Sequence, residues 1–175
     1  VTAGPLWKYR GQVRPPFALA PGPGQESVWD YPRPPAIVPD TRPVEVWAGK
    51  LRLAATTRAV RVLETAGPPT FYIPPDDVTR SALVRARGRS VCEWKGVASY
   101  WALAAAPDAG AVGWSYEDPT PAFEPVRGWL SFYPARVACT VSGERARPQP
   151  GGFYGGWVTD EIVGPFKGEP GTADW

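Results

Sequence analysis

The chain contains no histidine. That absence removes Ser-His-Asp and Cys-His nucleophilic mechanisms, the HExxH zinc proteases and every metal site that relies on imidazole. Cysteine is nearly as scarce. Cys92 and Cys139 are the only two, too few for a four-sulfur zinc site within one chain, so no metal or other cofactor is expected. A disulfide between them has nothing in its favour, because Val1 to Arg10 does not resemble a signal peptide. No apolar run approaches the ~20 residues needed to span a bilayer, and a soluble cytoplasmic protein without a membrane partner is the expectation. Net charge is small too, at +2, which gives no reason to expect a nucleic-acid surface. Arginines do cluster, at Arg80, Arg85, Arg87 and Arg89 and again at Arg136, Arg145 and Arg147. A solvated face explains such clusters better than phosphate binding.

Glycine and proline are abundant instead, with 19 and 23 residues. That is too many for a helical bundle and suits short strands joined by turns. The length of 175 residues fits one domain plus decoration. Residues 1–43 form a proline-rich arm. Proline this dense excludes helix and central strand, yet Trp7, Tyr9, Phe17, Trp29 and Tyr31 are too many aromatics for a disordered tail. The arm is therefore expected to dock, either on its own domain or on a partner subunit in a homodimer. Residues 148–175 form a glycine- and aromatic-rich arm packed on the domain.

Between the arms, residues 44–147 read as a small, mostly antiparallel β domain with one short helix. Val44 to Ala48 and Leu51 to Ala54 alternate on either side of Gly49-Lys50, a hairpin signal. Ala59 to Glu64 is the next strand, and its period of two sets Val60, Val62 and Glu64 on one face. Phe71 to Ile73 is a short strand, Pro75 starts a helix of one or two turns, and Arg85 to Arg89 is a basic turn. Val91 to Ala104 reads as the central strand with a bulge at Gly96, which leaves Cys92 and Lys95 on opposite faces. Val112 to Tyr116, Trp129 to Tyr133 and Arg136 to Val141 follow, with a second glycine hairpin at Ser142-Gly143.

The chemistry-bearing residues concentrate in Val91-Cys92-Glu93-Trp94-Lys95-Gly96-Val97-Ala98-Ser99-Tyr100-Trp101 and in Trp114-Ser115-Tyr116-Glu117-Asp118. With the earlier Leu63-Glu64-Thr65, Pro68-Pro69 and Tyr72-Ile73-Pro74, they resemble the bacterial family known as domain of unknown function 427. The likeness covers roughly residues 44–147. Gln25 to Pro32 and Gly151 to Trp157 resemble a longer subset of that family. The resemblance implies a β-tent, in which two small antiparallel sheets meet at an angle. Related tents, in cereblon and methionine sulfoxide reductase B, carry zinc on cysteine pairs that this chain lacks. A nucleotidyltransferase-like label attached to the family implies Mg²⁺-assisted transfer, which needs carboxylates converging from alternate strand positions. Asp76-Asp77 and Glu117-Asp118 are adjacent pairs, and adjacent strand residues face opposite ways.

The candidate catalytic residues are Lys95, Glu64 and Tyr100. A lysine among aromatics sits in low dielectric, where it can bind an anionic or carbonyl-bearing ligand or act as an acid or base. Glu64 is its expected counter-ion or a general base. Tyr72, Trp94, Trp101, Trp114, Tyr116 and Phe132, with Tyr133, are the candidate lining of an aromatic cage. Cys92 reads as a buried apolar thiol, because no histidine activates it. The leading reading is thus a small-molecule-binding β domain, with a metal-free enzyme using the Lys/Glu pair as its sharper form. The alternatives are an interaction or structural module whose arms mediate a dimer, and a nucleotidyltransferase-like enzyme.

Overall fold

The computed structural model describes residues 7–175, and Val1 to Leu6 of the N-terminal arm lie outside the described residues. Along the chain the strands are Glu26–Ser27 (β1), Ala36–Asp40 (β2), Val44–Ala48 (β3), Leu51–Thr56 (β4), Ala59–Leu63 (β5), Thr70–Tyr72 (β6), Leu83–Cys92 (β7) and Gly96–Leu103 (β8). They continue with Ala111–Ser115 (β9), Leu130–Phe132 (β10), Ala138–Val141 (β11), Glu144–Arg145 (β12), Arg147–Pro148 (β13), Trp157–Val158 (β14) and Ile162–Val163 (β15). The protein is mainly β, built from several small antiparallel sheets. No helix among the described residues is long and apolar enough to cross a membrane.

The three larger sheets run β12-β11-β3-β4, β2-β5-β6 and β10-β9-β8-β7. The last two are joined edge to edge. Beyond the end of β6, the Ile73 amide donates to the Leu130 carbonyl at 2.8 Å and the Leu130 amide donates back at 3.0 Å. The alternation of strand side chains then divides the interior. Phe71, Ile73, Leu130 and Phe132 enter a core with Val44, Val46, Leu53 and Cys139 of the β12-β11-β3-β4 sheet. Tyr72, one position from Phe71, enters a second cluster with Val62, Ala98, Trp114, Tyr116, Phe123 and Val126. The candidate site lies on that second face.

Both hairpins read from the sequence are present. β3 and β4 pair through Ala48↔Leu51, with Gly49 at φ +58°. β11 and β12 pair through Val141↔Glu144, with Ser142 and Gly143 both at positive φ, as a two-residue turn of this hand requires. The expected helix after Pro75 is two 3-10 turns, Pro75–Asp77 and Arg80–Ala82.

Two local readings are corrected. Arg85 to Arg89 is part of β7, with the ladder shifting register between Arg85 and Arg89 around Gly88 at φ +88°. Val91 to Ala104 is not one strand. β7 ends at Cys92, Glu93-Trp94-Lys95 turns, and β8 returns from Gly96 in antiparallel register Cys92↔Gly96. Strand pattern on both sides of a three-residue turn mimics one long strand with a bulge, because the turn residues themselves alternate in polarity.

The arms dock on their own chain. A third cluster holds Val28, Trp29 and Tyr31 against Leu63, Ala66 and Ile162, with Tyr9, Phe166 and Trp175 packed on it. Trp29, Phe17 and Trp175 meet with ring centroids 5.0–5.2 Å apart. β1 pairs in parallel with β15, so the two arms share a ladder. β2, read as arm, is the edge strand of β2-β5-β6, and its Pro39 occupies the kind of position where a missing donor costs least. An ion network of Asp40, Arg42, Arg61, Glu26 and Glu161 ties β1, β2 and β5 to the C-terminal arm.

Candidate functional site

A cavity of about 410 Å³ lies on the second face of the joined sheets, within the size range of small-molecule sites. β5 contributes Val62 and, just past its end, Glu64. β6 contributes Tyr72. β7 and β8 supply Ser90, Cys92, Ala98 and Tyr100, and Trp114 and Tyr116 come from β9 and the residue beyond it. The Glu93-Trp94-Lys95 turn forms one end, and the arms complete the wall with Trp7, Arg33, Gln149, Tyr154, Gly155 and Lys167.

The turn that carries Lys95 is fixed from outside. The Thr120 amide donates to the Lys95 carbonyl at 3.1 Å and its hydroxyl to the Trp94 carbonyl at 2.6 Å. Gly96 follows at φ +105°, a conformation that glycine adopts without the penalty other residues incur. Lys95 is only 9% exposed. Its Nζ stands 5.7 Å from the Tyr116 ring centre and 5.6 Å from that of Phe123, a cation–π environment. Among the described residues it forms no ion pair. Burial acts against its charge, while Tyr72, Cys92 and Glu64 offset burial, so the proton is held more tightly than on a free lysine.

Glu64 is engaged elsewhere. Its Oε1 accepts from Arg33 Nε and from Trp94 Nε1, both at 3.1 Å. Arg33, with a side chain 1% exposed, also donates to the Tyr9 and Thr65 carbonyls at 2.9 Å each, and lies over the Trp7 ring at 4.3 Å. Burial pulls its guanidinium below its usual value. Glu64 is thus the counter-ion of Arg33, and the direct Lys95–Glu64 contact expected from the sequence is not made.

Trp114 Nε1 donates to the Tyr72 hydroxyl oxygen at 3.0 Å, and Tyr100 shares a 2.5 Å hydrogen bond with Ser90 Oγ. Burial pushes Tyr72, Tyr116 and Tyr133 above the ordinary phenol range, so all three keep their protons at neutral pH. At the mouth, Lys167 Nζ lies 4.0 Å from the Trp7 ring centre and donates to the Trp175 carbonyl at 3.2 Å. Burial, then Arg33, lowers the proton affinity of Lys167.

Of the residues singled out in the sequence, Lys95, Glu64, Tyr100, Tyr72, Trp94, Trp114 and Tyr116 line this one cavity, as does Tyr133. Two do not. Trp101 follows Tyr100 and therefore faces the other side of β8, where its Nε1 donates to Ser115 Oγ at 2.9 Å and Arg80 and Arg85 cover its ring. Phe132 is fully buried in the first core. Strand alternation was the available signal in both cases, since each sits next to a tyrosine that does face the cavity.

Arg33, Lys167, Gln149 and Trp7 escaped sequence reading because they arrive from the arms. The loop from Gly151 to Gly156 left a trace, its paired glycines. A Cβ on Gly155 would stand 2.2 Å from the Trp114 ring, and one on Gly156 would stand 2.4 Å from Gln149 Oε1. The backbone there lies directly on the cavity wall. The Gln149 side chain staples this segment, accepting from the Gly156 amide at 3.1 Å and donating to the Lys167 carbonyl at 2.7 Å. No group of three or more Cys, Asp or Glu side chains among the described residues is placed to hold a metal ion.

No curated protein matches the chain. A family model does, over residues 36–143, and its description is Domain of unknown function (DUF427). The match begins at Ala36 and so takes in β2. It spans more than half of the 175 residues, and the chain belongs to the DUF427 family.

Proposed function

We propose that this protein binds a small, flat molecule in the cavity beside β5, β6 and β8, holding an anionic or carbonyl oxygen of that molecule at Lys95. One observation carries the reading. Lys95 is a nearly buried cation, without a carboxylate partner among the described residues, on the wall of a cavity large enough for a ligand. A buried charge normally has a partner, and a ligand oxygen would supply one. The Arg33–Glu64 pair is internally compensated and the Lys167 ammonium donates to the Trp175 carbonyl, which leaves Lys95 as the charge to be met. The rings of Trp94, Trp114 and Tyr116 offer flat apolar faces, and the hydroxyls of Tyr72 and Tyr100 offer directional polar contacts.

Thermal-shift and calorimetric titrations with benzoate, cinnamate and their neutral amides test the proposal. The carboxylates are expected to stabilise the wild-type protein and to lose that effect in Lys95→Met, while Trp101→Phe, altered on the other face of β8, leaves it unchanged. Equal stabilisation of wild type and Lys95→Met by every probe would show that Lys95 does not contact the ligand.

A further inference from the structure

The sequence pattern separates Cys92 from Lys95, and the turn between them brings both to one wall. β7 and β8 close on Cys92↔Gly96, so Lys95 follows Cys92 around a bend instead of along a strand. Cys92 is partly exposed, lines the cavity and packs against the Tyr72–Trp114–Tyr116 cluster. It shares the cavity wall with Lys95, the nearly buried ammonium that forms no ion pair among the described residues. Cys139 has none of these features. It is fully buried in the first core, its sulfur contacts the Val137 carbonyl, and burial pushes its thiol up.

We infer that Cys92 is a nucleophile that adds covalently to the molecule held in this cavity, and that this molecule is a planar conjugated carbonyl compound. The inference rests on the ligand reading above and adds a bond to it. The Cys92 sulfur attacks the β carbon of the conjugated system, forming a C–S bond. The π pair of the C=C bond shifts toward the carbonyl oxygen, where the Lys95 ammonium faces the negative charge as it develops. The proton lost from the thiol returns at the α carbon, so the product is a saturated thioether and no oxidant or reductant is consumed. Histidine is dispensable here because a neighbouring cation, not a neutral base, compensates the sulfur's charge.

Two probes test this separately from ligand recognition. Iodoacetamide is small enough to need no recognition, and intact mass with peptide mapping identifies the thiol that reacts. In the folded protein a single carboxamidomethyl group is expected on Cys92 and none on Cys139. Labelling is expected to be faster than that of free glutathione, about tenfold or more slower in Lys95→Met, and largely restored in Lys95→Arg. Labelling no faster than glutathione, or a rate unchanged in Lys95→Met, overturns the nucleophile. The glutathione comparison needs only the wild-type chain, so it decides even where a variant does not fold.

The second probe is 4-phenylbut-3-en-2-one beside its saturated analogue, 4-phenylbutan-2-one. The enone is expected to give one adduct on Cys92, abolished in Cys92→Ser, and the saturated ketone to bind reversibly to both proteins. Reversible binding of the two ketones without an adduct overturns the covalent step and leaves the ligand reading standing. Fast iodoacetamide labelling with no binding of either ketone overturns the carbonyl ligand and leaves the nucleophile.

Discussion

Replacing Arg33 with methionine should destabilise the protein by about 3 kcal/mol, the low end of the range for breaking a buried ion pair. The guanidinium is 1% exposed and donates to Glu64, the Tyr9 carbonyl and the Thr65 carbonyl. Its loss leaves the Tyr9 and Thr65 carbonyls unpaired, takes the cation from Glu64 and removes it from the Trp7 face. Two features keep the cost from the top of the range. The Glu64 side chain is 30% exposed and can recruit water, and it keeps the hydrogen bond from Trp94. Adding Glu64→Gln should recover roughly 1 kcal/mol, the part owed to the stranded carboxylate, because the two carbonyls stay unpaired. Lys95→Met is the contrasting case. Methionine fills the space of the lysine stem, and the lost cation–π contacts to Tyr116 and Phe123 are offset by removal of a buried charge. Its effect should stay within about 1 kcal/mol and should add independently to Glu64→Gln. Urea unfolding followed by tryptophan fluorescence measures all of these. A large loss in Lys95→Met that Glu64→Gln restores, with little loss in Arg33→Met, would refute this assignment of partners.

Acid should weaken the arm attachment. Asp40 is held below the usual carboxylate range: burial works against its charge, but hydrogen bonds from Arg42 outweigh burial. A carboxyl lowered in the folded state contributes fully above its unfolded value and loses that contribution as pH falls below ~4. The melting temperature of Asp40→Asn should therefore fall less steeply between pH 5 and pH 3 than that of wild type, and parallel curves would contradict the network's role. Trp157→Ala should cost about 3–5 kcal/mol in chemical denaturation, since the ring is fully buried, stacks on Phe71 at 4.8 Å and donates to the Phe132 carbonyl at 2.9 Å. A loss under about 1 kcal/mol would mean that the C-terminal arm is not part of the core.

Much of the fold was legible because it rests on local signals. Glycine turns and period-two alternation placed β3, β4, β5, β9 and β11 within a few residues. Proline kept residues 7–43, the described part of the N-terminal arm, free of α-helix and central strand, and aromatics of that part pack in the third cluster. The failures share a cause. Alternation has no way to register a three-residue turn whose own side chains alternate, so Cys92-Glu93-Trp94-Lys95-Gly96 read as strand and Cys92 seemed remote from Lys95. Ion-pair choice is long range: Glu64 is contacted by Arg33 from the N-terminal arm, and nothing near either residue in sequence announces it. Trp101 and Phe132 were named with their cavity-facing neighbours because an aromatic's presence in a strand is visible in sequence, whereas the face it takes depends on what each side of the sheet packs against.

The central claim is that Lys95 presents its charge to a ligand. The crystal structure of the protein soaked to saturation with cinnamate tests it most directly. The account predicts carboxylate density within about 3 Å of Lys95 Nζ, the phenyl ring lying against the faces of Trp94, Trp114 or Tyr116. A saturated crystal whose cavity holds only solvent, or cinnamate bound with its carboxylate turned away from Lys95, would contradict it.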